Sequence, residues 1–304
     1  MQFVKMHGIG NDYVFVNAFE TPVERPQELA RRIADRHAGV GGDGLILLLP
    51  PQAGVGEPAH VRMRMFNADG SEAEMCGNGI RCLCKLAHDH GICGANPMRV
   101  QTPAGVLTLR YTTDARCKVD MVTVDMGAPI LEPRKIPVKI DNLARIVNHS
   151  TRSLIDWPAR LPADWKQACG LDQRMTCVSM GNPHVVFFCD NVDRVPLETV
   201  GPLVENHAVF PSRVNVHFVQ VDAPAKLTMV TWERGSGATL ACGTGASAVC
   251  VAGVLTDRTD RRIQAHLPGG ALTLEWSKQD DHLYMTGPAV EVFTGQWPGQ
   301  MGRE

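Results

Sequence analysis

ATLACGTGASAVCVAGVL, residues 238–255, has an earlier double in AEMCGNGIRCLCKLAHDHG, residues 73–91. In each, a Cys stands directly before Gly-x-Gly and a helix-like run follows. Aligning Cys76 with Cys242 puts Gly77 and Gly79 on Gly243 and Gly245. The match extends outward. RMRMFNADGS (62–71) meets MVTWERGSG (229–237), so Asn67 falls opposite Glu233 and Ala68 opposite Arg234. GIGNDYVFV (8–16) meets SMGNPHVVF (179–187), which puts Asn11 on Asn182 and Tyr13 on His184. GGDGLILLL (41–49) sits where SRVNVHFVQV (212–221) sits, and TPAGVLTLR (102–110) matches LPGGALTLEW (267–276). A period this long is far beyond the ~50 residues of solenoid repeats. The expectation is an ancient duplication giving two similar lobes related by a pseudo-twofold axis.

Local patterning supplies the class. Residues 13–18, 44–49, 62–66, 105–110, 119–126, 185–188, 215–221, 226–232, 271–276 and 282–287 read as strands, from β-branched content or period two. After Cys76, Ile80, Leu83, Cys84 and Ala87 share one helical face and Arg81, Lys85 and His88 the other, and Gly91 can end the helix. After Cys242 the run is apolar all round, the mark of a helix buried on every side. The fold class expected is α+β: two pseudo-symmetric lobes, each a curved, mostly antiparallel sheet wrapped around a central helix. The lobes are placed at 1–126 plus 289–304, carrying Cys76, and at 127–288, carrying Cys242, with the active site in the cleft between them. Residues 50–58 read as a surface loop. Residues 141–175 are irregular, with no assigned role.

Bulk properties narrow the partners. The 304 residues are 44% hydrophobic and 20% charged, with a net charge of −2. No long basic run suggests nucleic acid or an anionic membrane. The N-terminus MQFVKMHGIGNDYVFVNAFE lacks the apolar core of a signal peptide, and no apolar run reaches ~18 residues. A cytoplasmic protein is expected. The ten cysteines (76, 82, 84, 93, 117, 169, 177, 189, 242 and 250) then form no disulfide framework. Cys76, Cys82, Cys84 and Cys93 lack the C-x2-C spacing of a structural zinc site, so no metal is assigned.

A helix N-terminus carries unsatisfied N–H groups and about half a positive charge. A thiol there is expected to ionise more easily, and glycine N–H groups beside it can hold a carboxylate. One CGxG alone reads as a tight turn with a buried Cys. Two matched copies offer two thiols on opposite faces of one carboxylate-bearing carbon. Taking a proton from one face and returning one to the other inverts a stereocentre. Helix dipoles would stabilise the enolate-like charge, and no cofactor is required.

HGIGNDYVFV, FNADGSEAEMCGNGIRC, GNPHVVFF, VNVHF and TWERGSGATLACGTGASA together resemble diaminopimelate epimerase, in order from residue 5 to about 255. The resemblance implies a cofactor-independent epimerase that interconverts LL- and meso-2,6-diaminopimelate, for lysine and peptidoglycan precursors. It implies Cys76 and Cys242 as the acid/base pair, with His184 near one thiol and Glu233 near the other. Gly77, Asn78, Gly243 and Thr244 match the turns holding the reacting carboxylate. Asn11, Asn67, Asn182 and Asn215 match substrate-binding asparagines. Glu233 and Arg234 match the pair that meets an ammonium and a carboxylate. Gly44 stands where many family members carry a substrate-contacting Gln, so a backbone or water contact would have to substitute there. A homodimer is implied by the same likeness. The alternatives are a racemase of another amino acid of proline type, or a catalytically silent or zinc-binding relative. Arg234 with Asn67 and Asn215 argues for a substrate with two amino-acid ends.

Overall fold

The computed structural model describes residues 1–54, 57–73, 75–140, 142–152 and 164–298. Two compact units divide the chain: Met1–Asp125 with the segment from Thr286 onward, and Met126–Met285.

In the first unit β1 (Gln2–Gly8) and β2 (Asn11–Asn17) form an antiparallel hairpin. Then α1 (Pro26–Ile33) leads to β3 (Gly44–Leu49), parallel to β2. β4 (Val61–Asn67) runs antiparallel to β3, and β5 (Glu72–Ala73) folds back on it. α2 (Gly77–Asp89) precedes β6 (Met98–Thr102), which is parallel to β4. β7 (Gly105–Thr113) and β8 (Val119–Asp125) close the meander.

The second unit opens with β9 (His149–Ser150) and the one-turn α3 (Trp165–Ala168). The first unit's order then recurs. β10 (Arg174–Ser179) and β11 (Pro183–Phe188) form a hairpin; after α4 (Leu197–Glu205), β12 (Asn215–Ala223) lies parallel to β11. β13 (Lys226–Glu233) is antiparallel to β12 and carries β14 (Gly237–Thr239). Then come α5 (Gly243–Leu255), β15 (Arg262–Leu267) parallel to β13, β16 (Gly270–Trp276) and β17 (Leu283–Pro288). β18 (Val290–Gln296) returns to the first unit, antiparallel to β1.

The two units match in register as well as in order. Tyr13 pairs with Gly44 across the parallel β2–β3 contact, and His184 pairs with Asn215 across β11–β12. The class is α+β, as expected, and most pairings are antiparallel. All ten strands read from the sequence are present. β1, β5, β6, β9, β10, β14, β15 and β18, with α1, α3 and α4, are additions to that reading. Asp141 and residues 153–163, within the stretch of unassigned role, lie outside the described residues, as do 55–56 of the expected 50–58 loop.

The central strands β2, β3, β11 and β12 are buried on both faces over most of their length, which explains their apolar runs. In the first unit Val14, Val16, Leu45, Leu47 and Phe66 pack with Ala30 and Ile33 of α1. On the other face α2 touches β1, β2, β3, β8 and β18. In the second unit Phe187, Val216 and Phe218 pack with Val200 and Val204 of α4, while α5 lies against β10, β11, β12, β15 and β16. Ala246 through Ala252 of α5 are all fully buried. Each Val there contributes about 1.5–3 kcal/mol of burial. α2 is less amphipathic than its sequence suggests. Arg81, expected on the polar face, is fully buried. The helix ends as expected, with Gly91 at φ +71° and its N–H on His88 O.

Candidate active site

Both thiols occupy the same local structure. Cys76 (φ −135°, ψ 119°) and Cys242 (φ −122°, ψ 102°) are the extended residues that start α2 and α5. Each follows a short return strand, so each thiol sits at the positive end of a 13-residue helix. Gly79 N donates to Cys76 Sγ at 3.4 Å. Cys242 makes no capping bond of that geometry, yet the Gly245 N–H faces its sulfur and favours the charged form.

Around Cys76 the first unit gathers carboxamides. The β1–β2 turn needs Gly10 at φ +88°, and it delivers Asn11 beside the thiol. Cys76 Sγ donates to Asn11 Oδ1 at 3.3 Å, and Asn78 Nδ2 donates to the same oxygen at 3.3 Å. Asn11 Nδ2 donates to Asp43 Oδ2 at 2.6 Å, which fixes which end of the amide meets the thiol. Asn78 is fixed likewise, because its Oδ1 accepts from Arg81 Nη2 at 2.9 Å. Arg81 also donates to Gly77 O at 3.1 Å, one turn back. Tyr13 Oη donates to Cys76 Sγ at 3.8 Å; burial, and then the nearby thiol, keep this phenol well above its ordinary pKa. Asn67 lies opposite Gly44 on β4, and its Nδ2 donates to Ser71 Oγ at 3.0 Å. At Gly44 a Cβ would lie 2.1 Å from Phe66 O, so this backbone leaves no room for a side chain.

Asp43 belongs to a charge cluster under Asn11. Arg36 Nη2 reaches Asp12 Oδ1 at 2.7 Å and Asp43 Oδ1 at 2.9 Å, and Lys5 pairs with Asp12. Burial raises the Asp12 carboxyl, but bonds from Arg36 and Lys5 outweigh it, and its pKa is lowered. A carboxyl held below its unfolded value stabilises the fold above about pH 4. That contribution is lost as pH falls through the lower folded value. Asp12→Asn is therefore expected to flatten the acid limb of the stability curve. Denaturant melts at pH 5 and pH 3 check this; the same loss in both proteins would contradict it.

The second unit surrounds Cys242 differently. Gly181 at φ +95° makes the matching turn and delivers Asn182. Asn182 Nδ2 donates to Thr244 Oγ1 at 3.4 Å, and that hydroxyl lies 3.7 Å from Cys242 Sγ. His184 Nε2 lies 2.8 Å from Asn182 Oδ1. Glu233 faces the Cys242 thiol, and Thr239 Oγ1 donates to Glu233 Oε1 at 2.5 Å. Asn215 Nδ2 donates to Pro183 O at 2.9 Å, and its Oδ1 accepts from Arg234 N at 3.0 Å. Arg234 Nη1 donates to Ser212 O at 3.0 Å.

One expectation needs correction. A helix N-terminus should ease ionisation, yet Cys242 is held well above the ordinary thiol value. Burial is the largest cause and the Glu233 carboxylate the next; the Thr244 and Gly245 donors offset them only in part. His184 is fully buried and its pKa is lowered well below 6.5 by burial, then by His217 and Arg234, so it is a neutral imidazole. Tyr13, Asp43, Arg81 and His217 are additions to the residues read from the sequence. His217 carried one signal: it follows Asn215 by two, and so shares its strand face. All ten cysteines are free thiols. Among the described residues no group of three or more His, Cys, Asp or Glu side chains is placed to hold a metal ion.

The fold is that of a class of solved structures that match it over nearly the whole chain. A Bacillus anthracis phenazine biosynthesis protein of the PhzF family matches at TM-score 0.63 and 16% identity, over 97% of this chain and 98% of that one. A probable proline racemase from Agrobacterium radiobacter matches at TM-score 0.61 and 15% identity, over 98% and 92%. Within that class the sequence is specific. The family model for diaminopimelate epimerase matches residues 3–132 and 176–292, and the chain belongs to that family. It is 48% identical to the diaminopimelate epimerase of Acetivibrio thermocellus, over 97% of this chain and 98% of that one. It is 48% identical to that of Moorella thermoacetica, over 98% and 99%.

Proposed function

We propose that the chain interconverts LL- and meso-2,6-diaminopimelate, with Cys76 and Cys242 as the two proton carriers. Family membership carries the reaction, and the duplicated Cys at a helix N-terminus supports the mechanism. One thiolate removes the α-proton, and the opposite thiol returns a proton to the other face of the same carbon. Gly77 and Asn78, with Gly243 and Thr244, supply the N–H groups that hold the reacting carboxylate and the charge growing beside it. Burial and Glu233 favour the protonated form of Cys242, which suits it to return the proton in the direction where Cys76 acts as the base. In the reverse sense Glu233, facing the Cys242 thiol, takes its proton first. His184, neutral and bonded to Asn182, is the polar group that the family likeness assigns to one of the thiols. Asn11, Asn67, Asn182 and Asn215 bind ammonium and carboxylate groups without adding net charge, and the Arg234 fork takes the carboxylate of the non-reacting end. At Gly44 a water or a backbone group replaces a side-chain contact.

No helix among the described residues is long and apolar enough to cross a membrane. The substrate is small and soluble, and the proposal places the protein in the cytoplasm as a homodimer. The deciding experiment incubates LL-diaminopimelate with the protein in deuterium oxide. Deuterium at one α-carbon should appear together with the meso isomer. Absence of both would end the reading.

A further inference from the structure

Beneath Cys242 lies an unbroken line of polar side chains. Thr231 Oγ1 is 3.0 Å from His217 Nδ1. His217 Nε2 is 2.9 Å from His184 Nδ1. His184 Nε2 is 2.8 Å from Asn182 Oδ1, and Asn182 Nδ2 reaches Thr244 Oγ1, the hydroxyl beside Cys242 Sγ. Thr231, His184 and His217 are buried. The His217 ring also presses on the thiol's own turn: a Cβ on Gly245 would lie 2.3 Å from His217 Cε1 and 3.0 Å from Cys242 Sγ.

Such a line has only two directions, because each neutral imidazole donates from one nitrogen and accepts at the other. A thiolate only accepts. For Cys242 to carry a negative charge, Thr244 must give it the hydroxyl proton and must itself accept from Asn182. Asn182 then turns its oxygen to His184, which must be protonated on Nε2 and bare on Nδ1. His217 must in turn donate from Nε2 and accept from Thr231. We infer that His217 is a positioning residue for the proton transfer at Cys242: it selects the His184 tautomer that orients Asn182 and Thr244 toward the thiolate. The inference deepens the epimerase reading and rests on its use of Cys242 as an acid and base.

Burial holds both imidazoles uncharged, His217 down to about 3 and His184 well below its ordinary value. The other charged groups facing the line and the thiol are Glu233 at the end of β13 and Arg234 beyond it. The tautomers therefore persist across neutral pH instead of switching.

The first test is nitrogen NMR of the full-length protein labelled in histidine. His184 should carry its proton on Nε2 from pH 6 to pH 8. A proton on Nδ1, or an imidazolium, would overturn the inference. The second test compares His217→Gln, whose amide nitrogen can still donate to His184, with His217→Leu, which cannot. The readout is the pH profile of Cys242 alkylation by iodoacetamide, located on its own peptide by mass spectrometry. The leucine variant should move that profile up by about one pH unit, a tenfold slower reaction at fixed pH. That is the lower end of what a hydrogen bond to a charged group is worth. The glutamine variant should stay near wild type. Equal profiles for leucine and wild type, or for leucine and glutamine, would overturn the role. The tautomer measurement needs no substitution, so it decides the matter alone should the leucine variant not fold. Neither readout uses diaminopimelate. Failure here leaves the epimerase reading standing, and failed deuterium exchange leaves the tautomer measurable.

Discussion

Replacing either Cys76 or Cys242 with Ala is expected to cut epimerisation by about a thousandfold, while the chain still folds. The size follows from the worth of a placed proton carrier, about 10²–10⁴ in rate. Each thiol starts a helix whose body is held elsewhere. α2 is anchored by Ile80, Leu83 and Arg81, and α5 by apolar contacts on every side. Circular dichroism and thermal melting should therefore report native-like proteins. The two variants should also differ from a general loss of binding, because substrate affinity should fall far less than turnover. Near-native turnover by either variant would remove that sulfur from the chemistry.

The second large effect is expected at Arg234. Arg234→Ala should lower kcat/KM for diaminopimelate by about a hundredfold, through loss of a bidentate hold on the distal carboxylate. Arg234→Lys should recover only part of it, since an ammonium cannot reproduce the planar fork. Folding should be largely spared, because the backbone at Arg234 is held by Asn215 Oδ1 and its side chain gives up one exposed bond, to Ser212 O. Steady-state kinetics with melting curves check both points. An unchanged kcat/KM would take Arg234 out of the binding set.

Much of this was legible because burial on two faces writes itself as long apolar runs. GLILLL, VVFF and NVHFVQV read as strands from composition and period, and the internal match located both thiols. The elements not read share a different physics. β1 hides its period because Lys5, a charged residue, is buried and satisfied by Asp12 and the Gly41 carbonyl. β18 shows the reverse: Val290, Val292 and Phe293 are apolar yet exposed, so composition and environment disagree. α1 is only eight residues long, a short window for periodicity, though Pro26 at its start and Arg31 and Arg32 at its end are proper signals. Arg81 looked like a solvated charge from helical spacing alone; only the third dimension shows it bonded to Gly77 O and Asn78 Oδ1. His217 falls inside a strand pattern, and such a pattern does not reveal that a parallel neighbour brings His184 to its side.

The register shared by the two units has an evolutionary consequence. Tyr13, Gly44 and Asn67 in one half correspond to His184, Asn215 and Glu233 in the other. An ancestor assembled from identical halves would have offered a symmetrical pair of sulfurs, each as acidic as the other. Divergence has given one sulfur a phenol and amides, and the other a carboxylate and imidazoles. Under the proposed two-thiol mechanism the halves are complementary and no longer interchangeable: a chimera carrying two copies of the first half would keep both sulfurs and lose the means to tell donor from acceptor.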